Sequence, residues 1–441
     1  MNSLNSHSPW SSQRSARAVA NECLTTYPPQ WTPAMLRASG TKVFFAPRTT
    51  APILPFLGRA FLLGVALLGI AQAAFAEQPS LDAATQPSTV DAPLPVYRAR
   101  FERTRPVIAI VGENSGTELS DFAIPYGVLV RAGVAEVITV ATQPGVLHMR
   151  PALQVQPDAS IAEFDARFPQ GADYVIVPAV VKFNDPTLLA WVKAQGTKGG
   201  MVVSICDGAA VVAGTGLMDG HRATAHWASA KNRRRLFPSV KWIDNIRYVA
   251  DRQIISTAGI SAALPTSIAL VEAIAGRERA ASLARELGVS DWGTAHDTAQ
   301  FRPRLGVNLR ALIAVTYTNG WFRSTEMIGL PIADGVDEIA LAVTADGYSR
   351  TGRSLLHALS ASSAPVRSRS GLMIVPDTRT DGRPMDRELP PLEAYPSAES
   401  FVKTIDGIHR LYGRTTAYGV ALNFEYPLIP KRSLANEALA Q

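Results

Sequence analysis

The chain has 441 residues, 47% of them apolar and 18% charged, enough for two or three cores and too apolar for a disordered chain. Its formal charge of +6 is concentrated at one end: residues 1–76 hold Arg14, Arg17, Arg37, Lys42, Arg48 and Arg59 against Glu22 alone. The remainder is close to neutral and offers no electrostatic footprint for nucleic acid.

Arg59 precedes "AFLLGVALLGIAQAAFA", an uncharged run over 60–76 that ends in Ala74-Phe75-Ala76. A basic flank, an apolar stretch and a small-x-small site are the three parts of a secretory signal. The run falls short of the roughly 20 residues of a spanning helix. Cleavage is therefore favoured, with an uncleaved anchor over 60–76 as the alternative and Met35 as a second candidate start. Either way the rest of the chain is expected in the periplasm or another extracytoplasmic space. Cys23 lies in this presequence, so Cys206 is the only thiol of the mature chain and no intramolecular disulfide is expected. A lone thiol in an oxidising compartment has to be buried or used.

Residues 77–105, rich in Pro, Ser, Thr and Ala, read as a flexible linker. "PVIAIVG" (106–112) then reads as a buried parallel strand, "LSDFAIPYGVLVRAG" (119–133) as a helix closing on Gly133, and "AEVITVAT" as a strand. The alternation goes on with "ADYVIVPAVV" as strand, "DPTLLAWVKAQG" as helix, "GMVVSIC" as strand and "DGAAVVAGTGLM" as helix. "RQIISTAG" and "ISAALPTSIALVEAIAG" add a strand and a helix. Strands alternating with helices of this length predict an α/β domain over 106–300 with a mainly parallel sheet. Residues 301–441 read as a smaller, degenerate α/β region. "VDEIALAVTADGYSRTGRSLLHALSASS" (336–363) is expected to repeat the strand, glycine turn and helix of 106–132, and "SRSGLMIVPDT" (368–378) echoes "MRPALQVQPDA" (149–159). Chance similarity between two βαβ units is the alternative.

"SICDGAA" places Cys206 where a strand passes straight into a helix between small residues, the arrangement of a nucleophile elbow. An elbow thiol is expected to be accessible and partly ionised, because the helix N-terminus stabilises a thiolate. Read alone, the segment fits a small buried hydrophobe ending a strand better.

"CDGAAVVAGTGLMDGHRATAHW" resembles the nucleophile segment of the ThiJ/PfpI superfamily, the class I glutamine amidotransferase-like group. The resemblance is closest to the amidase-like sensor domains of AraC-type regulators and to isonitrile hydratases. It extends through "FPSVKWIDNIRYVADRQIISTAGISAALPTSIALVEAI" (237–274) and, at the front, "GTELSDFAIPYGVLVRAG" (116–133). It implies a flavodoxin-like sheet sandwiched by helices, with Cys206 as nucleophile or redox-sensitive thiol. It also implies Asp121 as the acid that hydrogen-bonds the thiol, and His226, twenty positions after the cysteine, beside both. Without the resemblance, Asp121 or Ser120 is a helix N-cap, His226 a packed core histidine and His221 a solvated turn residue.

Two departures stand out. The family places glycines after the strand "YVIVP", where backbone N–H groups form part of an oxyanion hole, and this chain has Pro178-Ala179-Val180. The residue after the cysteine is Asp207, where the relatives carry Thr or another small neutral residue, and a carboxylate there raises a thiol pKa. The histidines show no zinc spacing and there is no Walker A or dinucleotide glycine motif, so neither metal nor cofactor is expected. "KNRRRLF" (231–237) reads as a solvated basic helix face. The expected function is a Cys-dependent amidase- or hydratase-type enzyme acting on a small electrophile. The alternative is a non-catalytic ligand or redox sensor without a DNA-binding region. Expected partners are a small molecule and, as the resemblance implies, a second copy in a homodimer, with the degenerate C-terminal half as the alternative, pseudo-dimer partner of the first domain and the membrane engaged only through 60–76.

Overall fold

The computed structural model describes residues 93–377 and 384–427, so the signal-like run 60–76 and Cys23 lie outside the described residues. Among the described residues no helix is long and apolar enough to cross a membrane. The end of the expected linker is not free. Tyr97 N donates to Ala273 O at 2.8 Å, and Arg103 pairs with Asp173 at 2.7 Å, so the segment is strapped to the domain it precedes.

The first half is an α/β sandwich. β1 (Val107–Gly112) is buried at all six positions and runs into α1 (Leu119–Ala132), which stops at Gly133 with φ 66°, the left-handed C-cap that glycine adopts without strain. Next come β2 (Glu136–Ala141), β3 (Gln154–Gln156) and β4 (Ala159–Ser160). β5 (Tyr174–Val177) leads to α2 (Pro186–Thr197), where the Asp185 carboxylate accepts Leu188 N at 2.9 Å and Pro186 occupies the first turn. β6 (Met201–Ser204) and α3 (Gly208–Gly214) flank Cys206. α4 (Ala230–Leu236), β7 (Tyr248–Asp251), β8 (Ile254–Thr257), α5 (Ala263–Ala275) and α6 (Arg277–Leu287) complete the half. The sheet order is β7-β8-β6-β5-β1-β2-β4, and every pairing is parallel except that of β7 with β8. Helices cover both faces, so the central strands carry continuous apolar runs.

The second half contains β9 (Glu326–Pro331), α7 (Glu338–Ser349), β10 (Ser354–Leu359), β11 (Met373–Val375), β12 (Arg387–Glu388) and α8 (Glu399–Asn423). The expected strand, turn and helix over 336–363 are corrected: the helix comes first and the strand second. α7 is buried at all twelve positions, so its apolar residues run without the 3.6-residue gaps of a surface helix and imitate a strand.

The corrected order exposes an internal repeat. Residue i of the first half answers to residue i + 219: Val107 to Glu326, Leu119 to Glu338, Val155 to Ile374, Asp158 to Asp377. Even the side-chain hydrogen bonds repeat, with Asp158 accepting Thr139 N and Asp377 accepting Ala358 N, each at 2.8 Å. The closing helices repeat at i + 137. Gly276 between α5 and α6, and Gly413 where α8 bends, share φ 83° and ψ 166°. The drop in offset marks what the second half lacks, the stretch that holds β6, α3 and Cys206.

The halves meet as two copies meet across a two-fold axis. β3 pairs antiparallel with β11, with the equivalent residues Val155 and Ile374 opposite each other. α1 packs on α7, and each packs on its own closing helix, α5 or α8. Ser261 N donates to Phe424 O while its counterpart Ala398 N donates to Leu287 O, both at 2.9 Å. One apolar core runs through both halves, from Ile108 and Phe122 to Leu341 and Phe424.

Candidate functional site

Cys206 has φ 54°, a left-handed conformation that residues bearing a β-carbon rarely adopt. The surroundings enforce it: Cys206 N donates to Thr257 Oγ1 at 3.0 Å and Ile205 N to Val177 O at 3.0 Å. Gly208 has to be glycine, since a β-carbon there would lie 2.0 Å from Val177 O. The turn is a nucleophile elbow in shape, but the thiol is neither accessible nor primed as expected. Cys206 is 6% exposed. Burial pushes its pKa well above the ordinary thiol value, and the carboxylates of Asp121, Asp207, Glu118 and Glu425 push it further.

Asp121 sits fully buried in the first turn of α1. It does not cap the helix, and neither does Ser120: the N-cap position is Glu118, without a side-chain cap. Asp121 Oδ2 accepts Ala179 N at 3.2 Å, and Oδ1 is buried without a partner. Burial raises its pKa well above the ordinary carboxylate value and Asp346 adds to the rise, against the Ala179 N–H. Asp121 and Cys206 thus lie within each other's field, but no hydrogen bond joins them. The Ala179 N–H, at the position of the expected oxyanion donor, is already spent on Asp121.

His226 faces away from any role as base. Its Nε2 lies 2.9 Å from Asn423 O and its Nδ1 accepts Ala228 N at 3.2 Å, which assigns the neutral tautomer protonated on Nε2. Close by, Glu425 is wholly buried; it accepts Trp227 N and His296 Nε2, each at 2.8 Å. Burial opposes its ionisation, but the hydrogen bonds from His296 and from Trp227 N hold its pKa below the ordinary value. Gly259 makes this approach feasible, since a β-carbon there would lie 2.6 Å from the His226 ring and 2.8 Å from Glu425. His221 stands apart, 3.6 Å from Asp251.

Asp207 accepts Ser229 Oγ at 2.6 Å. The basic helix behind it departs from the solvated face expected: Arg234 and Arg235 are exposed, but Arg233 is buried, donates to Ser229 Oγ at 3.0 Å and lies over the Trp242 ring at 5.1 Å. Sequence reading also missed Glu118, Asp346, Arg350, Asn423 and Glu425. Arg350 forms ion pairs with Glu118 and Asp346, and Ser120 Oγ donates to Asp346 at 2.7 Å. Four of these five residues come from the second half, whose repeat of the first was the one signal that it could approach the cysteine.

Residues 107–273 match the model of the DJ-1/PfpI family. This segment is a DJ-1/PfpI domain. Among relatives, protein dj-1beta of Drosophila melanogaster is 25% identical over 189 residues, covering 41% of this chain and 97% of that protein. An isonitrile hydratase of Pseudomonas putida is 30% identical over 98 residues, covering 22% of this chain and 41% of the hydratase. The HTH-type transcriptional regulator CdhR of Pseudomonas aeruginosa is 27% identical over 132 residues, covering 30% of this chain and 39% of the regulator. The crystal structure of Drosophila DJ-1beta superposes with a TM-score of 0.39 at 22% identity, covering 43% of this chain and all of that one.

Proposed function

We propose that the chain is an exported, sensor-type DJ-1/PfpI protein in which Cys206 marks a closed site that responds to a small ligand without turning it over. The observation that carries this reading is that no hydrogen bond joins the Cys206 thiol to Asp121 or to His226, the two groups expected to take its proton. Both His226 nitrogens are engaged elsewhere, and the buried thiol is held in its protonated form, whereas nucleophilic catalysis needs the thiolate. The ring of acidic groups selects against anions, so the ligand is uncharged or cationic. The Asp121 carboxyl, whose Oδ1 is buried without a partner, is the polar group left to hydrogen-bond that ligand. The regulator among the relatives is in keeping with a sensing role.

The second reading, a Cys-dependent hydratase- or amidase-type enzyme, is favoured by the strained elbow and by the hydratase relative. A turnover screen with amides, isonitriles and α-oxoaldehydes, run on wild type and Cys206→Ala, separates the two. Equal background rates are expected, together with thermal shifts for uncharged or cationic compounds that Cys206→Ala or Asp121→Leu abolishes. Turnover lost in Cys206→Ala would overturn the sensor reading. Export rests on residues 60–76 and is tested by fractionation with N-terminal sequencing. An extracytoplasmic form starting at Glu77 is expected, and a cytoplasmic form with its N-terminus intact would refute it.

A further inference from the structure

We propose that this chain is a fused dimer: the second half occupies the face on which a second copy would sit and, in doing so, holds both arms of the Cys206 site. The internal repeat carries the first part. Two sequence-related halves joined through reciprocal contacts of equivalent residues form an isologous interface, the kind that a two-fold homodimer makes between chains. Val155 opposite Ile374, and the exchanged bonds from Ser261 to Phe424 and from Ala398 to Leu287, are such contacts. α1 and α7, which would each offer an apolar face to a partner copy, already cover each other. The protein is therefore a monomer in place of the homodimer expected from its sequence.

The second part rests on which residues cross that interface toward the cysteine. Asp346 and Arg350 of α7 grip Ser120 and Glu118, the residues that start the turn bearing Asp121. Asn423 O and the Glu425 carboxylate, at the end of α8, hold the His226 ring and Trp227 N. Arg350 is a positioning residue that acts on the thiol through the turn bearing Asp121, and Glu425 holds His226 while its own charge acts on the thiol. The symmetry mate of Arg350 is Arg131, which pairs with Asp337 at 3.0 Å and Glu338 at 2.8 Å. Arg131 makes the same kind of interface contact at the pole without a cysteine, which makes it the internal control.

This inference takes Cys206 as the centre of the site, but its test does not need a ligand. In the full chain with Cys23→Ser, Cys206 is the only thiol, and its alkylation rate by iodoacetamide is followed between pH 7 and 10. Slow labelling and a monomeric mass by light scattering are expected. Arg350→Gln should speed labelling by about tenfold or more, by releasing the Asp121 turn, and Arg350→Lys, which keeps the charge but not the fork that spans Glu118 and Asp346, should restore only part of the protection. Arg131→Gln should change the rate less than about twofold while lowering the melting temperature as much as Arg350→Gln does. Equal acceleration in both Gln variants, an unchanged rate in Arg350→Gln despite its lower melting temperature, or a stable dimer would overturn the proposal. A ligand screen that finds nothing would sink the sensor reading and leave these rates and the mass untouched.

Discussion

Arg131 and Arg350 occupy equivalent places on α1 and α7, and each reaches across the same pseudo-two-fold axis to carboxylates at the other helix's start. Glu118 answers to Asp337, so the ion pairs correspond. The residue that answers to Asp121 is Ala340, and the residue that answers to Asp346 is Gly127, where a β-carbon would lie 2.5 Å from Glu338 Oε1. One pole therefore has Asp121, Asp346, an elbow and a thiol, and the other keeps only its helix packing and the Arg131 ion pairs. The two halves have kept what an interface requires, complementary apolar helices and buried charge pairs, and have parted where chemistry would be done.

Several changes would break or sharpen that contrast. The largest effect is expected from Arg350→Met, which leaves Asp346 and Glu118 buried without a cation; removing one partner of a buried pair costs about 3–5 kcal/mol. Arg131→Met should cost about as much, so denaturant unfolding of both variants tests whether the interface is energetically symmetric. Gly208→Ala follows, at about 1–3 kcal/mol or more, because the new methyl drives into Val177 O and the elbow has to open. Gly413→Ala in the second half meets no atom and adds only the strain of a backbone conformation (φ 83°, ψ 166°) open essentially to glycine, about 1–3 kcal/mol, as should its mate Gly276→Ala.

The smallest effects are read as pH dependence, and they run in opposite directions at the two ends of the site. Asp121 has a folded pKa above its unfolded value of about 4. Its contribution is fully present below that unfolded value and is lost as pH rises through the folded one. Asp121→Asn should therefore gain stability relative to wild type as pH rises from about 4 toward neutrality and beyond. Glu425 has a folded pKa below its unfolded value, so its contribution is present above about pH 4.3 and is lost as pH falls through the folded value. Glu425→Gln should flatten the acid limb of the stability curve. Urea midpoints measured across pH 3–9 check both, and curves of the same slope for the two variants would contradict the assignment.

Much of the first half was legible because its strands and helices announce themselves locally. "VIAIVG" is a buried strand by composition, Gly133 ends α1, and Asp185-Pro186 starts α2. The elbow was legible too, since a tight strand-to-helix turn tolerates only small neighbours such as Gly208. α7 was misread because a helix packed on all sides loses the period that identifies it. The state of the thiol was misjudged for another reason: local sequence shows the helix N-terminus in front of Cys206 and Asp207 beside it, but not Glu118, Asp121 and Glu425, which arrive from two distant segments.

By itself, then, the sequence determined the α/β alternation, the elbow around Cys206 and the presence of a degenerate second half, all of which follow from residues close together in the chain. Only the tertiary structure decided that this half folds back about a two-fold axis, that Arg350 and Glu425 reach the site from more than a hundred residues away, and that His226 and Ala179 N–H are already engaged. Burial and long-range charge decide whether a cysteine is a thiol or a thiolate, and both are set by which distant segments share one interior.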